Sequence, residues 1–279
     1  MENYKISKLS KLRSYYVEEW LLDPLSIHFK LKFFKYNKYY QNRYSLKPSI
    51  YKNYKKNLNR TFIDIIPYKN REGIFINIRE NEQNNFLIYF NNNTKPSKTN
   101  FITKEMNIMI IRIIIKEDQK NFSDLFNGCE VIKEINFKYL IREDIYDMSR
   151  MFTNCINLKF IKFDTFITTN VVNFSYMFYN CKSLKYLDLH LFSTSNAKNM
   201  EAMFYGCINL QVLDLYKFNF YPVEFLNYFL TNCYSLNTLV INKLNIRNNT
   251  NNDYIFYGLP NGMVTNILNK FTLYKLKPE

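Results

Sequence analysis

The sequence predicts an α/β repeat solenoid of stacked helix–strand–turn units, closed by a β-rich N-terminal cap. Three observations predict it. All the cysteines, Cys129, Cys155, Cys181, Cys207 and Cys233, lie 26 residues apart. Their neighbours repeat with them: Phe126, Phe152, Phe178 and Phe204 stand three places before a cysteine, and Ile132, Leu158, Leu184, Leu210 and Leu236 three places after. Within each copy the apolar spacing then changes from helix-like to alternating. A fixed period of this length marks units that stack to share a core.

The elements follow in chain order. Residues 1–60 form a basic, aromatic-rich segment, in which Leu9, Leu12, Tyr16 and Trp20 suggest a helix over 6–22. No acidic residue occurs between Asp23 and Asp64, and residues 1–120 carry 23 Lys+Arg against 11 Asp+Glu. Residues 61–120 become strand-like. The runs 61–66, 73–78, 85–90 and 109–115 are β-branched or aromatic and separated by turn residues. Such a region would cover the open edge of the first repeat.

Residues 121–245 hold about five units. Met148, Met151, Cys155 and Leu158 fall at i, i+3, i+7 and i+10, as do Met200, Met203, Cys207 and Leu210, which predicts a helix with one buried face. Leu187-Asp188-Leu189-His190 and Leu213-Asp214-Leu215-Tyr216 then alternate like short strands. The polar run Ser193-Thr194-Ser195-Asn196 offers N-caps for the next helix. Residues 246–279 read as a C-terminal cap. Leu259 takes the cysteine column there, but Gly262 stands where leucine is expected.

The run Met200-Glu201-Ala202-Met203-Phe204-Tyr205-Gly206-Cys207-Ile208-Asn209-Leu210-Gln211-Val212-Leu213-Asp214-Leu215 resembles the BspA-like leucine-rich repeat, a type abundant in mycoplasma and other bacterial surface proteins and in protists. The resemblance spans roughly 122–245 and departs at both ends, at Leu125 and at Phe229-Leu230. It implies a leucine-rich-repeat-like interaction module, and it brings no catalytic residues with it.

Composition narrows the function. With 47% hydrophobic and 18% aromatic residues the chain can bury a sizeable core, whereas 5 glycines leave no phosphate-binding glycine loop. An odd set of cysteines on one structural position suits reduced, buried thiols rather than a disulfide framework. There is no Cys-x-x-Cys pair, and His28 and His190 are far apart, so no metal and no cofactor is expected. No apolar run follows the N-terminal charges as in a signal peptide, and none is long enough to span a membrane, so a cytoplasmic location is expected, with the cell surface as the alternative. Catalysis finds no nucleophile–base spacing, and the chain is expected not to be an enzyme.

Binding has two candidate sites. The outward strand columns carry Phe160, Lys162, Asp164, Tyr186, Asp188, His190, Asp214 and Tyr216, where large aromatics stand at positions that favour polar groups. That face predicts a protein partner. The alternative is polyanion binding by Lys30, Lys32, Lys35, Lys38, Arg43, Lys52, Lys55 and Lys56, interleaved with aromatics. Phosphates of nucleic acid or anionic lipid would be its ligands, and a cell-surface adhesin is the further alternative.

Overall fold

The 26-residue period is built from turns and strands. In the computed structural model, residues 60–241, 246–247 and 250–260 are described. All belong to the compact unit Leu58–Glu279. The predicted helix over 6–22, the eight candidate polyanion-binding residues from Lys30 to Lys56, and the chain beyond residue 260 lie outside them.

The strands are β1 (Thr61–Pro67), β2 (Gly73–Ile74), β3 (Phe86–Phe90), β4 (Phe101–Ile102), β5 (Ile111–Ile115), β6 (Ile132–Tyr139), β7 (Phe160–Phe163), β8 (Tyr186–Leu187), β9 (Val212–Asp214) and β10 (Thr238–Val240). They form a five-stranded sheet in the order β3-β5-β1-β6-β7, a three-stranded sheet β10-β9-β8 and a two-stranded sheet β2-β4. Among the described residues the only helix is a 3-10 segment at Glu80–Asn85. The expected helix–strand–turn solenoid is therefore not what forms.

The segments read as helical are tight turns. Met148, Met151, Cys155 and Leu158 are fully buried, as the spacing requires, but the backbone between them does not close i→i−4 bonds. Instead the N–H groups of Met148, Arg150, Phe152 and Asn154 donate to Asn173, Ser175, Met177 and Tyr179 of the next unit, at 2.8–3.0 Å. Those of Met151, Thr153, Cys155 and Leu158 donate three residues back, at 3.1–3.4 Å. Two features enforce this. Asn121, Asp147, Asn173 and Asn199 each accept the N–H two residues on, at 2.7–3.0 Å, a local bond that competes with helix. Positive φ then recurs twice per unit, as at Arg150 (53°) and Asn154 (56°).

The second of those positions is occupied by Gly128, Asn154, Asn180, Gly206, Asn232 and Gly258, all left-handed. Glycine and asparagine are the residues that enter this region most readily, so the column of Asn and Gly before each cysteine is the sequence sign of a turn. The predicted N-caps serve the stack as well. Thr194 Oγ1 accepts from Asn219 N–H at 2.7 Å, and Thr168 Oγ1 from Ser193 N–H at 2.8 Å, each across to the following unit.

Successive units join through parallel bridges Asn121↔Asp147↔Asn173↔Asn199↔Phe225↔Asn251. Inside, Phe126, Phe152, Phe178 and Phe204 stack face to face at 5.4–5.6 Å. Each is fully buried, and burying such a ring stabilises by about 2–3 kcal/mol.

β1 pairs antiparallel with both β5 and β6, whereas β6 pairs parallel with β7. The first repeat strand is thus joined on its outer side to the antiparallel strands β1, β5 and β3. Two polar side chains tie that region to the turns. Asn77 Nδ2 donates to the carbonyls of Asp124 (2.9 Å) and Asn127 (2.8 Å). The Arg142 side chain, 1% exposed, donates to the carbonyls of Lys116 (3.0 Å) and Glu117 (2.7 Å) and forks onto Asp144.

Candidate functional site

The cysteine column is interior. All the cysteines are free and buried. The Sγ of Cys155, Cys181, Cys207 and Cys233 donates to the carbonyl of Phe126, Phe152, Phe178 and Phe204 respectively, at 2.9–3.1 Å. Burial pushes the thiols of Cys155 and Cys233 up to about 12, and those of Cys129, Cys181 and Cys207 well up. A nucleophilic cysteine needs the opposite, an electropositive and accessible site. These thiols hold the stack together.

The strand face lies on the other side of each unit. Ile161, Leu187 and Leu213 point inward and are buried, so the residues between them face out. Phe160 is 48% exposed, and Tyr186 and Tyr216 are 57% exposed. The pairing Leu187↔Leu213 sets Tyr186 beside Val212. Beyond the strands, Lys217 Nζ reaches back to the carbonyl of His190 at 2.9 Å.

Polar contacts fix several of these side chains. The Tyr186 hydroxyl is 2.9 Å from Gln211 Oε1 and donates to it. His190 Nδ1 stands 2.8 Å from Asp188 Oδ1, which also accepts the His190 N–H at 3.0 Å. Partial burial acts against ionisation of Asp188, but the bonds from His190 outweigh it and hold the carboxyl below its usual range. A histidine oriented by a carboxylate is half of a nucleophile-activating arrangement. Among the described residues no hydroxyl or thiol completes it.

The eight predicted residues fall into two groups. Tyr186, Asp188, His190, Asp214 and Tyr216 sit on or just after β8 and β9, which share a sheet. Phe160 and Lys162 are on β7, in the other sheet, and Lys162 pairs with Asp164 at 2.6 Å. No ladder joins β7 to β8.

Sequence reasoning missed a second aromatic surface, on the turns. Tyr179 and Tyr205 stack at 4.8 Å, Tyr228 and Tyr254 at 5.3 Å, and Tyr176 lies 5.5 Å from Tyr179. They occupy the places two and five before the cysteine, or before Leu259, in successive units. That period is visible in the sequence once these segments are read as turns.

Comparison with known proteins places part of the chain. Residues 146–267 match the family described as Mycoplasma protein of unknown function, DUF285. The DUF285 match covers less than half of the chain. It includes all eight strand-face residues and the tyrosine stack, and leaves out the antiparallel strands β1, β3 and β5 and the basic segment. The repeat is thus what this chain shares with the DUF285 family. No curated protein and no solved structure matches the chain. Among the described residues no group of His, Cys, Asp and Glu could hold a metal ion, and no helix is long and apolar enough to cross a membrane.

Proposed function

We propose that the protein is a non-enzymatic interaction scaffold whose strand face binds a protein partner, and that its repeat is of the BspA-like leucine-rich type. The observation that carries this reading is the exposure of Phe160, Tyr186 and Tyr216 in successive units. The turn-face tyrosines stack on one another and so satisfy much of their ring surface internally. Among the described residues the rings of Tyr186 and Tyr216 have no aromatic neighbour. Large, rigid aromatics with unused ring faces are what interface hot spots are made of.

The test is partner capture by the full chain carrying Tyr186→Ala and Tyr216→Ala, with the partner identified by cross-linking to the wild type. Loss of capture with an unchanged thermal midpoint supports the scaffold reading, and retention overturns it. The competing assignment, polyanion binding by the basic residues between Lys30 and Lys56, requires affinity for nucleic acid or anionic vesicles that falls steeply with salt and ignores both tyrosines.

A further inference from the structure

One edge of the strand face is basic. Lys133, Lys159 and Lys185 occupy the same position in successive units, and the backbone N–H of Lys159 donates to the carbonyl of Lys133 at 2.9 Å. Arg71 joins them through Tyr68. The Arg71 guanidinium carbon lies 4.6 Å from the Tyr68 ring centroid and Lys159 Nζ lies 5.8 Å from it. Tyr68 is itself held, donating from its hydroxyl to the Asn157 carbonyl at 3.1 Å and from its N–H to the Val131 carbonyl at 2.8 Å. Of these cations, Lys133 is neutralised by Glu134 at 2.7 Å. Arg71, Lys159 and Lys185 form no salt bridge among the described residues.

The charge changes across the face. Next to the lysines come the exposed rings Phe160 and Tyr186. Two residues further along each strand comes the column that holds Asp188 and Asp214, which in the three lysine-bearing units reads Asn136, Lys162 and Asp188, while Glu134 pairs with Phe160 in the column between. From the lysine column to the aspartate column is three residues, about 10 Å of strand. A polyphosphate backbone, negative at every residue, would meet Glu134 next to Lys133 and Asp188 beyond Lys185 as well as the cations. A polypeptide can be acidic at one edge and apolar or basic at the next.

We propose that the strand face recognises an extended acidic peptide segment of a protein partner. Its carboxylates lie against the edge formed by Arg71, Lys159 and Lys185, and its apolar side chains pack on Phe160 and Tyr186. This rests on the interaction reading above and names the chemistry of the partner.

The experiment is fluorescence anisotropy with the full chain and two labelled probes, a decapeptide of alternating Glu and Leu and a ten-residue oligothymidylate. Three variants are compared with the wild type: Lys159→Glu/Lys185→Glu, Tyr186→Ala/Tyr216→Ala, and Lys30→Glu/Lys32→Glu as a control of equal charge change. The inference expects the first pair to weaken the peptide at least tenfold, the control to leave it within twofold, and the oligothymidylate to ignore Lys159 and Lys185. Peptide affinity unchanged by Lys159→Glu/Lys185→Glu overturns the acidic partner. If Tyr186→Ala/Tyr216→Ala still lowers it in that case, the scaffold reading survives alone. Dependence on the lysines without dependence on the tyrosines removes the scaffold reading as stated and keeps the acidic edge. An oligothymidylate that tracks the lysines equally, or a peptide that does not bind the wild type, also overturns the proposal. The substituted side chains of Lys159 and Lys185 are exposed, and a circular dichroism melt checks that the fold is retained.

Discussion

The Cys181 Sγ lies 3.1 Å from the carbonyl oxygen of Phe152, one unit earlier in the stack. The same bond recurs at Cys155, Cys207 and Cys233, so the thiol column fastens each unit to the one before it. Replacing Cys181 with alanine leaves a buried carbonyl without this donor and opens a small void. A loss of about 1–2 kcal/mol is expected in urea unfolding. In the native protein none of the thiols should react with a thiol reagent at pH 8, and all should react in denaturant.

Those thiols also set an alkaline limit. Each is raised from 9.0, to about 12 for Cys155 and Cys233. Above pH 9 the unfolded chain loses thiol protons that the folded chain keeps, so stability falls as pH rises. The contribution is whole below pH 9 and is lost towards pH 12, at about 1.4 kcal/mol per pH unit for each thiol. Denaturant midpoints should be flat for these groups from pH 7 to 8 and drop steeply from pH 9 to 10. A flat profile through pH 10 would show the thiols to be more accessible than they are here.

Two left-handed glycines should respond differently to alanine. Gly128 has φ 70° and nothing within 4 Å of a Cβ, so Gly128→Ala costs the backbone strain alone, about 1–2 kcal/mol. At Gly206, with φ 68°, a Cβ would overlap the side chain of Asn180, whose Nδ2 donates to Asn154 Oδ1 at 3.1 Å. Gly206→Ala must add the loss of that bond and should be the worse of the two by about 1 kcal/mol. Thermal melts of the pair decide it.

Arg142 is the polar joint between the repeats and the segment before them. Arg142→Met keeps most of the volume but removes the guanidinium donors to the carbonyls of Lys116 and Glu117 and releases Asp144. A loss of about 2–4 kcal/mol is expected, because the guanidinium bonds are charge-assisted and buried.

Core and face should separate cleanly in one measurement. Phe152→Ala removes a fully buried ring stacked on both Phe126 and Phe178 and should cost about 3–5 kcal/mol. Tyr186→Ala removes an exposed ring and one hydrogen bond to Gln211, so its effect on stability should stay near 0.5 kcal/mol.

Much of the interior was legible in the chain. The positions assigned inward, such as Met151, Cys155, Leu158, Ile161 and Phe166, are all buried. Phe160, Tyr186 and Tyr216, assigned outward, are exposed. The error lay in the backbone between them. Spacings of three and seven place side chains on one side of a helix, and they do the same for a chain that turns every three residues. The Asn/Gly column before the cysteines separates the two, because helix interiors disfavour glycine and a left-handed turn requires such residues.

The sequence by itself determined the period, the buried columns and the face left for solvent, because burial is additive and each apolar residue reports its own preference. Only the tertiary structure decided how the backbone polar groups are satisfied. The N–H groups of Arg150, Phe152 and Asn154 could have bonded within a helix. Packed against the next copy, they find carbonyls at 2.8–2.9 Å instead, and a neighbour one unit away is a partner that no local spacing reveals. The same stacking sets Lys159 beside Lys133, although 26 residues of chain separate them.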